Sequence, residues 1–444
     1  MKLKIFQSGK GDCLLVTSKD DSVHILIDGG MSDAYTAHVS KELNKLQKKN
    51  VKLDLACVSH IDDDHIGGFL KMIEDLVAWR VFDFHQASGD NPSVKKPTSF
   101  RPPEIKDIWH NAFHEIAGDN AGDIEDMLAA TANILSASSD PILLEMADIT
   151  YSKAQAIQLS RRLKPEQLNI SLNKFFEGQF AMFREGAATK KLGGIKIHML
   201  APFEQDLTDL RTEWNAWLKT SKEQIKKIKT KVDKDSQFLG TSSTPEIAYY
   251  EALSEEWAPL LLAQIGAAST VLGKRSNVTT PNLASIMFLL EEGDATVLMT
   301  GDGHWEDILK GLKEIGKLDE TKGLHVDVLK VQHHGSEHNL SEDFCNLITA
   351  TNYIFCGNGE HKNPDERVVQ AIIDSRTIMP AITDLVNNKF TLWFNSSSAT
   401  SSNDVGRKHM KKLETMLSGL KAQFPKLNYK FMEEGKDYFT LSVS

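Results

Sequence analysis

Residues 59–68, SHIDDDHIGG, constrain the fold of this chain more than any other stretch, because they put His60, Asp62, Asp64 and His65 within six positions between two segments of different periodicity. The residues before it, 53–58 (LDLACV), are apolar and partly β-branched, the pattern of a short buried strand. After it, Phe69, Leu70, Ile73, Leu76 and Val77 recur at helical spacing, with Gly67 and Gly68 at the entrance. The cluster therefore belongs in a strand-to-helix loop, where layered α/β folds collect ligands. Three consecutive aspartates flanked by histidines repel one another unless a cation or strong donors neutralise them. Two imidazoles with carboxylates fit zinc, manganese or iron, and the share of oxygen sets the site apart from sulfur-rich structural zinc. The plainer alternative is an Asp-rich helix cap with solvated histidines.

A second pair of strand ends lies far down the chain. Residues 286–290 and 296–299 read as apolar strands joined by Glu291-Glu292-Gly293-Asp294, a hairpin signal, and the second strand delivers Thr300-Gly301-Asp302-Gly303. A helical segment over 304–315 then leads to a strand over 326–331 and to Gln332-His333-His334-Gly335-Ser336. The two halves repeat each other: LIDGG, helix, LDLACVSHID stands against LMTGDG, helix, VDVLKVQHHG. Position 60 follows position 28 by 32 residues, and position 333 follows position 302 by 31. Such a pseudo-repeat brings the two clusters face to face between two sheets. Aligned this way His333 matches His60, which favours His333 as a ligand and leaves His334 as either a ligand or a contact to a substrate anion.

SHIDDDHIGG resembles motif two of the metallo-β-lactamase superfamily, whose common form is HxHxDH; here it is HxDxDH, with Asp62 where the second histidine is usual. That variant, together with TGD and HHGS, is similar to the metallo-hydrolase domains of ComEC-type competence proteins. The opening strands fit as well, through Gly9, Gly11 and Asp12 and then LIDGG. The resemblance implies a four-layer αββα sandwich with helical insertions. Residues 1–94 would form its first half and 95–281 the insertions, with a returning core strand near 195–200; residues 282–444 would form the second half. It also implies two divalent metal ions, Zn or Mn. His60, Asp62 and a histidine of the HHGS run would hold one; Asp64, His65 and a bridging Asp302 would hold the other, with Asp28 orienting a ligand histidine. The expected reaction is hydrolysis by a hydroxide held between the two metals, with Asp64 and Asp302 as catalytic residues.

The expected substrate is a phosphodiester, in nucleic acid or a nucleotide, contacted by His334, Ser336 and His361; the last lies just before Asn363-Pro364, where relatives carry His-Pro. Two other readings stand beside this one: a hydrolase of small esters, lactones or thioesters, and a non-catalytic subunit whose insertions bind a protein partner. The net charge of −10 argues against a basic coat for long nucleic-acid contacts, though not against a local groove. Cys13, Cys57, Cys345 and Cys356 show no CxxC pairing and read as reduced thiols. Neither a leader pattern nor a membrane-length apolar run is visible, so the expected location is the cytoplasm.

Elsewhere the patterns predict a helix over 32–48 capped by Ser32, and a strand over 81–84 with His85 at its end as a candidate ligand. They predict a helix over 108–114 with His110 and His114 on one face, and a strand over 195–200 carrying His198. A charged helix is expected over 204–235, rich in lysine from Lys222 to Lys234. Strands over 427–432 and 438–443 are expected to close the second sheet.

Overall fold

The computed structural model describes residues 1–89, 91, 93–111, 155–156, 158–160, 162–212, 272–377 and 389–443. Fifteen strands are named among them. The first half gives β1 (Lys2–Phe6), β2 (Leu14–Thr17), β3 (His24–Ile27), β4 (Leu55–Cys57), β5 (Asp107–Trp109), β6 (Ser171–Leu172), β7 (Thr189–Leu192) and β8 (Ile195–Ala201). The second gives β9 (Met287–Glu292), β10 (Ala295–Met299), β11 (Leu324–Lys330), β12 (Ile348–Phe355), β13 (Phe390–Phe394), β14 (Leu427–Phe431) and β15 (Tyr438–Ser442). The main helices are α1 (Ser40–Lys48), α2 (Asp63–Ser88), α3 (Trp305–Glu314), α4 (Glu342–Leu347), α5 (Glu366–Thr377) and α6 (Asp404–Gln423).

The strands form two sheets, ordered β15-β1-β2-β3-β4-β5-β6 and β14-β13-β12-β11-β10-β9-β8-β7. Side chains alternate across each strand and so feed two cores. In β3, Ile25 and Ile27 face a central core shared with Phe288, Val297 and Val328 of the second sheet. Leu26 points the other way, into a core with Tyr35, Leu43, Phe69 and Ile73 of the helical segments. On the far side of the second sheet, Leu298, Leu329 and Phe355 pack against Ile308, Ile372 and Leu413 of α3, α5 and α6. The result is the αββα sandwich, with the central strands of both sheets buried on both faces.

The pseudo-repeat is visible as five strands in each sheet. Strands β1-β2-β3 pair antiparallel and β3-β4-β5 parallel; strands β8-β9-β10 pair antiparallel and β10-β11-β12 parallel. The parallel pairs β3/β4 and β10/β11 set the strand ends that carry the two motifs side by side within each sheet.

Four local expectations differ from the structure. Residues 81–84 are not a strand: α2 runs on through them and His85, ending at Gly89 in a left-handed cap. Residues 107–109 form β5, not the start of a helix, because they pair in parallel with β4; His110 follows the strand and is buried, while His114 lies outside the described residues, as do positions 222–234. β15 does not join the second sheet; it pairs antiparallel with β1 and closes the free edge of the first. Ser32 does not cap its helix from outside but is its first residue, and a π turn, Tyr35–Val39, precedes α1. Among the described residues no helix is long and apolar enough to cross a membrane.

Candidate metal centre

The first sheet supplies one wall of the site. β4 ends at Cys57, and Ser59 and His60 follow before α2 begins at Asp63. Two glycines let α2 approach closely: a Cβ on Gly68 would overlap the Gly29 carbonyl oxygen, and one on Gly29 would overlap the Phe69 amide. In this contact Gly68 N donates to Gly30 O at 2.7 Å and Gly29 N to His65 O at 2.8 Å. The approach brings His65 beside Asp28, whose backbone is left-handed at φ 56°. The Asp28 carboxylate accepts from Ser59 N at 2.7 Å and Ser59 Oγ at 2.8 Å, and lies 2.9 Å from His65 Nδ1.

The second sheet supplies the other wall. Asp302 stands just beyond β10, while His333, His334 and Gly335 form three successive left-handed residues beyond β11, at φ 42°, 55° and 86°. Outside glycine, this conformation costs about 1–2 kcal/mol per residue, so the surrounding contacts must hold it. His333 N donates to Gly301 O at 3.2 Å and Ser336 N to His333 O at 2.8 Å.

Four imidazoles converge on one carboxylate oxygen. The Nε2 atoms of His334, His65, His60 and His333 lie 3.1, 3.2, 3.7 and 3.7 Å from Asp302 Oδ2. In each ring Nδ1 faces a different polar group: Asp12 Oδ1 at 3.1 Å for His334, Asp28 at 2.9 Å for His65, Ser59 Oγ at 3.1 Å for His60 and Asn339 Oδ1 at 2.8 Å for His333. Asp64 Oδ2 is 3.1 Å from His334 Nε2, and Asp62 Oδ2 is 3.5 Å from His60 Nε2. His60 and His333, matched by the repeat, stand at the same distance from Asp302.

Burial and charge pull against each other throughout. Burial alone lowers the His65 pKa, but Asp302, Asp28, Asp12 and Asp64 raise it further, leaving it well above the ordinary histidine value. Burial raises Asp302, yet His334, His65, His333 and Lys330 together hold its carboxyl well below the ordinary range. The same contest leaves Asp64 lowered, because His65 and His334 outweigh its burial. A cluster of carboxylates that stays ionised while buried is one that positive charge must compensate.

The structure brings together His60, Asp62, Asp64, His65, Asp302, His333 and His334, with Asp28 behind His65. Ser336 is buried, and its backbone and hydroxyl close the turn after His334. His361 is exposed on the loop after β12. His198 lies elsewhere, between Thr189 Oγ1 and Glu291 Oε2, each 2.8 Å away.

Two charged residues escaped sequence reasoning. Asp12 reads in the sequence as part of the opening motif alone, yet it lies against His334 and pairs with Lys330. Lys330 is fully buried, donates to Gly301 O at 2.9 Å and sits 3.4 Å from Asp302 Oδ1. The signal for Lys330 was a charge at an inward position of an apolar strand, since Val328 and Lys330 share a face in LHVDVLK.

The donor set fits a divalent cation. Asp12, His65, Asp302 and His334 each place a ligand atom within 4.8 Å of the others. His60 Nε2 is buried with no hydrogen-bond partner among the described residues, as a lone pair waiting for a metal would be. Asp12 is the weakest of these ligands, because Lys330 already neutralises it. No curated protein matches the chain. A family model, described as the metallo-beta-lactamase superfamily, matches residues 8–77, the segment that carries Asp12, Asp28, His60, Asp62, Asp64 and His65. With the αββα layers and the His/Asp cluster, that match points to a metal-dependent hydrolase.

Proposed function

We propose that this protein is a metal-dependent phosphodiesterase acting on nucleic acid or a nucleotide. The observation that carries the reading is the convergence of four Nε2 atoms on Asp302 Oδ2. Two metal ions, Zn or Mn, would take His60, Asp62 and His333 on one side and Asp64, His65 and His334 on the other, with Asp302 between them. Divalent metals bound there supply Lewis acidity, bring a water's pKa toward neutrality and offset charge that develops at phosphorus.

The chain's own groups have separate tasks. Asp28 and Ser59 hold the rings of His65 and His60, so that each presents Nε2. Lys330 holds Asp12 and steadies Asp302 from the Oδ1 side. Asp64 orients the attacking water, and His361, exposed on the loop after β12, contacts the phosphate.

The phosphodiester choice is supported by the mixed set of imidazole and carboxylate donors, which suits manganese as well as zinc, and by the likeness of HxDxDH, TGD and HHGS to ComEC-type domains. The test is hydrolysis of bis-p-nitrophenyl phosphate and of labelled single- and double-stranded DNA with added manganese or zinc, beside a p-nitrophenyl ester and a lactone. Asp64→Ala and Asp302→Asn are expected to lower phosphodiester turnover by about a thousandfold or more with the fold intact, given what such groups contribute to metal-assisted steps. Equal rates in wild type and variants would place the chemistry elsewhere. Turnover of the ester or lactone alone would retain the hydrolase and reject the phosphodiester.

A further inference from the structure

The HHGS turn holds two histidines, and what fixes the first is a residue outside the motif. Asn339 is fully buried between the two strand-end loops of the second sheet. Its Nδ2 donates to Asp302 O at 2.8 Å and Gly303 O at 3.2 Å, and its Oδ1 lies 2.8 Å from His333 Nδ1. The two carbonyls can only accept, so the amide NH2 must face them and its oxygen must face the imidazole. An oxygen at that distance requires Nδ1 to carry the proton. The competing donor, Asn282 Nδ2, stands farther away at 3.5 Å.

We infer that Asn339 is a positioning residue that locks His333 in its Nδ1–H tautomer, turning the Nε2 lone pair toward Asp302. The inference deepens the metal-dependent reading above and rests on it only for the purpose of the lock. Asp28 does for His65 what Asn339 does for His333, but with a difference of charge. A carboxylate raises a ring's basicity, whereas a neutral amide fixes the tautomer without adding to a site already crowded with Asp12, Asp64 and Asp302. The same amide ties the backbone of Asp302 to the HHGS turn, so His333 and Asp302 are held together by one side chain. Trp305 N donates to Asn339 O at 3.1 Å, which anchors Asn339 to the start of α3.

The test reads the tautomer directly, in metal-free protein labelled with nitrogen-15 histidine, with His333 identified by its loss in His333→Gln. Wild type should show His333 Nδ1 protonated and Nε2 bare. Asn339→Leu should lose that signature, and manganese or zinc titrated calorimetrically should bind this variant about 10–100-fold more weakly, the usual effect of losing a ligand's orienting partner. Asn339→Asp keeps an acceptor for Nδ1 and, protonated on the oxygen that faces the two carbonyls, should restore the tautomer, which a merely structural role would not do. A wild-type His333 protonated at Nε2, or an Asn339→Leu protein with the wild-type tautomer, overturns the inference. If Asn339→Leu does not fold, wild type and Asn339→Asp still decide. A correct tautomer in a protein that binds no divalent metal would keep the lock and reject the metal-dependent function; hydrolysis by a protein with the other tautomer would do the reverse.

Discussion

Asp302 shows how much one residue can be legible and how much not. Its place at a strand end opposite SHIDDDHIGG follows from the repeat, and the 3.2 Å to His65 Nε2 agrees with it. The buried ion pair beside it does not follow, since Lys330 and Asp12 are more than three hundred positions apart and meet only because two sheets face each other. His325 gives a prediction free of the metal site. It sits between Thr349 Oγ1 at 2.9 Å and Thr351 Oγ1 at 3.0 Å, where burial, then Arg376, lowers its pKa to about 4 against a smaller opposing pull from Asp327. The folded state thus prefers the neutral ring, so the contribution is full above the ordinary value near 6.5 and is lost as pH falls toward 4. His325→Gln should flatten this acid limb, by roughly 1–2 kcal/mol after allowance for partial exposure. Urea midpoints at pH 7.5 and 4.5 check it; an unchanged slope between them would refute it.

At the scale of elements, periodicity found most of the sheet but not its limits. β4, β8 and the β9/β10 hairpin stand where alternation and turn residues put them. The failures have physical causes. Val81-Phe82-Asp83-Phe84 is β-like in composition, yet α2 carries through it because Trp79 and the residues before it already pack as a helix. Ile108-Trp109 is short and apolar, which periodicity alone cannot divide between helix and strand. The edge that β15 joins depends on which strand is left unpaired, a property of the assembled sheet. The α2 entrance is the element on which the site leans most. Gly68→Ala would force the new methyl into the Gly29 carbonyl. It is expected to cost about 1–3 kcal/mol, as overpacking against rigid backbone does, and to weaken metal binding because His65 moves with α2. A variant as stable as wild type in a denaturant titration would show that the approach has slack.

For the molecule as a whole, the four layers were legible through the resemblance that the motifs carry, and their physical reason is that the central strands of both sheets are buried on both faces and so need helices outside. The sequence did not reveal how the halves are joined. Strands β7 and β8, from the first half, complete the second sheet, while β15, from the last residues described, returns to the first. Each half thus holds the other's border strand, and the chain passes from β8 to β9 between residues 201 and 287. One cut there severs no strand pairing named above. The two fragments should therefore stay interlocked, co-eluting as a single species in gel filtration until denaturant separates them, and should retain the site at their seam. Fragments that drift apart under native conditions would mean that the swapped borders add little to cohesion.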